Sequence, residues 1–185
     1  MRTVGRALPA LHETKKITVM RKPLGYRPPN PKIKNIFLDS CAFDPKYSPE
    51  DEASQEIFRR HKSDELKGLD IAHSNLKDID HPNTPESVKK EAINLIRTIS
   101  TRLTPNEVYE KSEILRILAG NGDPAKMVDD ANHIFEASKY GGGYFITTDK
   151  RILSKRDELK NVYSAIIVKP SEFLKILAMY ENSYT

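Results

Sequence analysis

The chain has 185 residues, a formal net charge of +4 and a single cysteine, Cys41. That length suits one domain with a sizeable core. One cysteine excludes an internal disulfide framework and favours a reducing compartment, so we expect a cytoplasmic protein. The longest apolar runs are too short to cross a bilayer, and the first residues lack the apolar core of a signal peptide. Membrane contact is therefore not expected.

The first 34 residues differ from the rest in charge. They hold nine Lys or Arg against one acid, Glu13, and five prolines, whereas the remainder carries 21 basic and 25 acidic side chains. Because residues 1–34 show little periodic apolar pattern, we interpret them as an arm attached to a domain at residues 35–185. The arm is a solvated tail, a targeting peptide or a clamp on a polyanion. Its prolines count against an amphipathic targeting helix, and its charge favours a nucleic-acid contact.

Short apolar strands alternate with helices in residues 35–185. Strands are predicted at 35–38, 69–72, 144–147 and 162–168. Helices are predicted from 49 to about 61, at 84–99, 104–119 and 123–138, and from 150 and 170 onward. This alternation is typical of parallel βαβ units, so the expected class is α/β with a covered sheet.

Aspartates stand where two of these strands end. Asp39 closes the first strand and Asp149 follows the third. Because parallel strands share their carboxyl side, both carboxylates are expected at one edge of the sheet, where open parallel sheets bind ligands. Asp130 lies at the margin of an apolar helix face that includes Met127 and Ile134. Carboxylates brought to one edge favour a hard divalent cation.

Each of these features also has an ordinary structural explanation. Asp149 is a preferred residue type for capping the helix that begins at Lys150. For Asp130, the ordinary explanation is a solvated helix residue that pairs with Lys126. The glycines at 141–143 are interpreted as a helix stop, because a phosphate loop follows a strand and opens a helix, which is the reverse order.

The phrases IFLDS, DDANHIFEA and FITTDKRIL, in this order, resemble the PIN-domain (PilT N-terminus-like) family of metal-dependent nucleases, and residues 168–174 resemble its closing strand and final helix. The resemblance covers residues 35–177 and implies a three-layer α/β/α sandwich with a central, mainly parallel sheet. It implies site acids at Asp39, Asp130 and Asp149, with Ser40 in the small hydroxyl position that contacts substrate.

The family's second acid, usually a Glu shortly after the second strand, has no direct match. Asp78 and Asp80 both offer a carboxylate there, although Asp is one methylene shorter than Glu. Glu86 lies too far into the next helix. Asp78 is preferred as a catalytic acid, and Asp80 remains the alternative.

The grouped acids predict hydrolysis of phosphodiesters with Mg²⁺ or Mn²⁺ held by Asp39, Asp130 and Asp149. A divalent cation relieves the repulsion between carboxylates, and both ions prefer oxygen ligands. The sequence has no Cys/His set with zinc spacing. Lys150 and Arg151 are expected to bind the substrate backbone, with ordinary first-turn surface charge as the alternative.

Two neighbouring residues receive structural roles. His133, one turn after Asp130, is expected to pack or to hold a ligand in place rather than bind metal. Cys41 is expected to be a buried structural thiol, since no His/Asn partner for a nucleophile is recognisable. A phosphohydrolase with Asp39 as nucleophile fits poorly, because Cys41 stands where that class carries a second Asp.

The resemblance therefore implies a metal-dependent ribonuclease, with RNA as partner. Small members of the family are often toxins, which would add an antitoxin protein, and a homodimer is a further expectation. The long basic arm departs from the commonest toxin form. The alternative is a catalytically degenerate PIN fold that binds nucleic acid or protein without cleaving it.

Overall fold

The structure is a computed structural model that describes residues 27–66, 68–72, 82, 84–94, 103–140 and 142–182, with 70–72 and 91–94 described by their backbone. Its strands are β1 (Asn35–Asp39), β2 (Leu69–Ala72), β3 (Gly142–Ile146) and β4 (Ile166–Val168). Its helices over these ranges are α1 (Glu50–Lys62), α2 (Glu86–Asn94), α3 (Pro105–Ala119), α4 (Val128–Lys139), α5 (Lys150–Leu159) and α6 (Pro170–Glu181). The predicted α/β class is confirmed.

The four strands form one parallel sheet in the order β2-β1-β3-β4. The chain moves to one side of β1 to form β2, and later returns to the other side to form β3 and β4. The strand order therefore reverses between β1 and β3. In open α/β sheets, the crevice outside the carboxyl ends of two such strands is where ligands bind.

Apolar side chains cover both faces of the sheet, because successive residues of a strand point to opposite sides. Ile36 and Leu38 of β1 lie in a cluster with side chains of α1 and α6, among them Ile57, Phe58, Phe173 and Leu177. Phe37 lies in a second cluster with side chains of α3, α4 and α5, among them Ile117, Ile134 and Ile152. Full burial of an aromatic or aliphatic side chain contributes about 1.5 to 3 kcal/mol, so these clusters anchor the helices on the sheet.

Helix α3 begins and ends where its sequence predicts. Thr104 and Glu107 form a reciprocal capping box, with the Thr104 N–H donating to Glu107 Oε2 at 2.7 Å and the Glu107 N–H donating to Thr104 Oγ1 at 3.3 Å. Pro105 occupies the first turn, where its missing N–H costs nothing. Gly120 ends the helix at a φ of 53°, a conformation that favours glycine.

Strand β4 is shorter than the predicted 162–168. The N–H groups of Val162 and Tyr163 both donate to the carbonyl oxygen of Leu159, at 3.0 and 3.2 Å. These residues therefore complete the end of α5 instead of joining the sheet. The apolar run misled the prediction because Tyr163 and Ala165 are buried for another reason, packing beside α5.

The glycine run has a different role from the predicted helix stop. Helix α4 ends at Lys139, and Gly142 and Gly143 are the first residues of β3. A Cβ at Gly142 would contact the carbonyl oxygen of Ala137 and approach the Phe37 ring to 3.0 Å. A Cβ on its neighbour would come within 2.6 Å of the Cβ of Lys34. The glycines thus allow β3 to pass close to α4 and β1.

The predicted continuation of α2 to residue 99 lies outside the described residues. None of the helices in the described ranges combines the length and apolar character that a membrane span requires.

The last eight residues of the predicted arm, 27–34, contact the domain, and we call them the strap. The Arg27 guanidinium lies over the Tyr180 ring, 4.6 Å from its centroid. Two tyrosine hydroxyls donate to strap carbonyl oxygens: Tyr180 to Pro28 and Tyr144 to Pro29. Because the strap leads directly into β1 and meets the end of α6, it lies at the amino edge of the sheet, opposite the edge where Asp39 ends β1.

Candidate active site at the carboxyl edge of the sheet

Asp39 is the last residue of β1 and is buried, with 7% of its surface exposed. Its Oδ2 accepts a hydrogen bond from the Thr147 hydroxyl at 2.7 Å. Its Oδ1 lies 3.4 Å from the backbone nitrogen of Cys41 and caps the 3₁₀ turn Ser40–Phe43. A buried carboxylate needs such donors, because burial without them disfavours the charged form.

Thr147 connects two of the predicted site acids. Its fully buried hydroxyl donates to Asp39 and accepts the backbone N–H of Asp149 at 3.0 Å. Thr147 was not among the predicted site residues, although it begins a Thr-x-Asp segment, Thr147-Thr148-Asp149. The available signal was that segment itself, a hydroxyl residue two positions before an acid at the end of a buried strand.

Asp149 caps α5, as its ordinary explanation predicts. Its Oδ1 accepts from the backbone N–H groups of Arg151 and Ile152, at 2.6 and 3.4 Å. Its Oδ2 accepts from the Arg151 guanidinium at 3.1 Å. The cap uses one carboxylate oxygen and leaves the other at the carboxyl edge, so the structural and functional interpretations of Asp149 are compatible.

Asp130, in the first turn of α4, lies within the electrostatic reach of both other acids. Its pKa is raised to about 6 by burial first, then by the negative charges of Asp149 and Asp39. The charges of Arg151 and His133 act in the opposite direction. The fold therefore brings Asp130 close enough to feel the charges of Asp149 and Asp39, the other two acids that the sequence predicted as metal ligands.

Arg151 is the cation nearest to these acids among the described residues. Its Nη2 lies 3.1 Å from Asp149 Oδ2 and 3.6 Å from Asp130 Oδ2. Its Nη1 lies 3.7 Å from the Met127 sulfur, at the start of α4. Within the described ranges, Arg151 takes the place of the predicted partner Lys126.

The other predicted site residues fall partly inside and partly outside the described ranges. Ser40 opens the 3₁₀ turn beside Asp39 and is half-buried, and Lys150 is exposed at the first position of α5. Asp78 and Asp80 lie outside the described residues, so the second acid remains a prediction. His133 is buried on α4, in keeping with a packing role.

Cys41 has the environment of a structural thiol. Its Sγ lies 3.3 Å from Asp39 Oδ2 and 3.4 Å from the Thr148 hydroxyl, which in turn donates to the Cys41 carbonyl at 3.1 Å. Burial and the charge of Asp39 raise the pKa of this thiol to about 12. Because the thiolate is the nucleophilic form, this environment opposes nucleophilic chemistry at Cys41.

The donor set suits a hard cation in its chemistry, although its side chains are not arranged around one. Within the described residues, no group of three or more Asp, Glu, His or Cys side chains is positioned to hold a metal ion. Comparison of the chain with family models, curated proteins and solved structures gave no match.

Proposed function

We propose that this protein is a metal-dependent nuclease of PIN type that hydrolyses RNA with Mg²⁺ or Mn²⁺. The observation that carries the proposal is the convergence of Asp39, Asp130 and Asp149 at the edge where the strand order reverses, with the charges of Asp149 and Asp39 acting on the half-buried Asp130. A strongly perturbed acid in such a crevice is a candidate functional residue. The proposed architecture is the three-layer α/β/α sandwich of that family, with the two apolar clusters between its layers.

A divalent cation suits these oxygen donors, because burial first, and then the charges of Asp149 and Asp39, raise the Asp130 pKa, and a bound cation would favour its charged form. Asp39, Asp130 and Asp149 would hold it, with Asp78 or Asp80 as a further catalytic acid. When bound, such a cation supplies Lewis-acid activation of a phosphodiester. The chain's own contribution is to orient the carboxylates, through the Thr147 hydroxyl and the first turn of α5.

The rim of the site offers groups that suit a nucleic acid. Lys150 is exposed beside Asp149, and Lys46 lies 4.8 Å from the centroid of the Tyr47 ring. Tyr47 ends the 3₁₀ turn Pro45–Tyr47, which follows the turn that begins beside Asp39. Cations that contact phosphates, together with an aromatic face that stacks on a base, are the usual means of binding single-stranded nucleic acid.

A second candidate is a binding module that does not cleave. The position of Arg151 favours it, because an internal guanidinium already contacts two of the three carboxylates. In that case the acids form a structural ion network, and the rim binds RNA or a protein without turnover.

Cleavage of a generic single-stranded RNA in Mn²⁺ separates the two candidates. We expect activity in the parent and a loss of at least about 100-fold in Asp39→Asn, because the amide keeps the volume but loses the charge. Asp157→Asn is the matched control, since Asp157 is an exposed acid on α5 that pairs with Lys160. Absence of Mn²⁺-dependent cleavage in the parent would favour the binding module, and equal activity in parent and Asp39→Asn would remove Asp39 from the site.

The partners of the proposed nuclease follow from the same resemblance. We propose RNA as substrate and a cytoplasmic location, where a reducing environment suits the free thiol of Cys41. An antitoxin protein and a homodimer are further proposals. A pull-down of the expressed protein from its own cells, followed by measurement of the mass of the complex, tests both.

A further inference from the structure

The guanidinium of Arg151 lies between two of the proposed ligand carboxylates. A single nitrogen, Nη2, lies within 3.6 Å of one carboxylate oxygen from α4 and one from the start of α5. The two oxygens are Asp130 Oδ2 and Asp149 Oδ2. The cap of α5 leaves Asp149 Oδ2 available, because the backbone N–H groups bind the other oxygen, Oδ1.

The side chain of Arg151 can leave this position without disturbing the fold. Its side chain is 60% exposed, whereas those of Asp130 and Asp149 are 26% and 22% exposed. Only its backbone N–H takes part in the cap of α5, and any substitution except proline keeps that group. A solvent-exposed ion pair is weak, so a divalent cation competes with the guanidinium effectively.

We propose that Arg151 is an internal counter-ion that competes with the divalent metal for Asp130 and Asp149, and so sets the metal affinity of the site. This inference rests on the proposed metal site. In the metal-free protein the guanidinium reduces the repulsion between the acids. Metal binding to Asp130 and Asp149 would free the guanidinium to turn toward solvent, at the rim where the substrate phosphates would lie. Arg151 thus positions the acids in one state and becomes available to an anion in the other.

The test is direct measurement of Mn²⁺ binding to the full-length chain, by the electron paramagnetic resonance signal of free Mn²⁺, without any RNA. Arg151→Gln should bind Mn²⁺ about three- to tenfold more tightly than the parent, because two weak ion pairs no longer have to be broken. Lys150→Gln is the matched control. It removes the same charge from the adjacent position, where Lys150 is exposed as the first residue of α5.

The outcomes separate this inference from the function it rests on. A rise in affinity for Arg151→Gln, with a change below about twofold for Lys150→Gln, supports direct competition. Equal effects of the two substitutions, or none in either, would overturn the role of Arg151 and leave the metal site standing. No Mn²⁺ binding by any of the three proteins would overturn the proposed metal site itself.

Discussion

The two edges of the sheet shift the pKa values of their carboxylates in opposite directions. At the amino edge, toward the end of α1, Glu56 lies between Arg59 and Arg60, and their hydrogen bonds lower its pKa to about 2. At the carboxyl edge, burial and the charges of two other acids raise the pKa of Asp130 to about 6. The environment of Glu56 stabilises its charged form, whereas the environment of Asp130 disfavours the charged form. Clusters of the second kind are typical of sites that bind a ligand.

The amino edge is also where separate parts of the chain are joined by charge. The Arg60 Nη1 lies 2.9 Å from Glu181 Oε1, which connects α1 to α6, and Lys32 of the strap lies 3.7 Å from the same oxygen. The positive charges of Lys32 and Arg60 thus offset the negative charge of Glu181. The amino edge is therefore organised for stability, while the carboxyl edge keeps a local instability that a cation would relieve.

The largest expected effect comes from removing the crowded charge. Asp130→Asn should lower Mn²⁺-dependent RNA cleavage by at least about 100-fold, because one proposed ligand is lost. Without metal, the same variant should be more stable than the parent at pH 7 by about 1 to 3 kcal/mol, since the folded protein no longer buries a disfavoured charge. Urea unfolding at neutral pH measures the second effect.

The pH dependence of that gain has a definite sign. The folded pKa of Asp130, about 6, exceeds its ordinary value of 3.8, so between these values the folded state binds more protons than the unfolded state. The stabilising contribution of Asp130 is then complete below about pH 4 and is lost as the pH rises through about 6. The advantage of Asp130→Asn should grow over that window and vanish at its acidic end. Glu56→Gln is the contrasting control, because it should weaken the protein at pH 7.

Thr147→Val tests whether the hydroxyl that links Asp39 to Asp149 supports metal binding. It leaves Asp39 Oδ2 without its hydroxyl donor and the Asp149 N–H without its acceptor, at a cost of about 1 to 3 kcal/mol in the free energy of unfolding. It should also weaken Mn²⁺ binding. Thr148→Val, which removes a hydroxyl that contacts Cys41 instead, should leave Mn²⁺ affinity unchanged. Identical metal affinities for parent and Thr147→Val would show that the hydroxyl supports the fold alone.

Residues 1–26 of the basic arm test whether basic side chains outside the acid cluster contact nucleic acid. Deleting residues 1–26 keeps the strap but removes six Lys or Arg. If they contact phosphates, RNA affinity should fall about tenfold, and the salt slope should flatten by about 0.7 for each lost contact. Binding constants at several salt concentrations measure this, and six Lys or Arg→Gln substitutions in the full chain provide the control. Unchanged slopes would contradict a phosphate clamp.

The smallest expected effect lies in the strap. Tyr180→Phe removes the hydroxyl that donates to Pro28 but keeps the ring under Arg27. Stability should fall by about 0.5 to 1.5 kcal/mol, with no change in Mn²⁺ binding, because the strap and the acids lie at opposite edges. A weaker metal affinity in this variant would mean that the two edges are coupled.

Local signals predicted much of the architecture. The capping pair Thr104 and Glu107, the acid at the end of β1 and the cap by Asp149 all depend on residues within a few positions of one another, and the structure has them where expected. The predicted extent of β4, residues 162–168, was wrong, because burial beside a helix and burial in a sheet leave the same apolar run in the sequence.

What the sequence could not provide was the direction of long side chains. Arg151 was predicted to face substrate, but its contact with Asp130 depends on the packing of α4 against the sheet, across 21 positions of the chain. The link from Thr147 to Asp39 spans 108 positions and requires β1 and β3 to be neighbours. Both follow from strand order, which periodicity does not encode.

The divided carboxylate of Asp149 has a consequence for genetics. Oδ1 holds the first turn of α5 while Oδ2 faces the other charged groups, so a screen for inactive alleles should recover two kinds at this codon. Alleles encoding Asn keep a capping oxygen and should yield normal amounts of inert protein. Alleles encoding Ala lose the cap as well, which costs about 1 kcal/mol, and should also lower abundance at elevated growth temperature. Comparing protein levels between the two classes would separate the work of one oxygen from that of the other inside living cells.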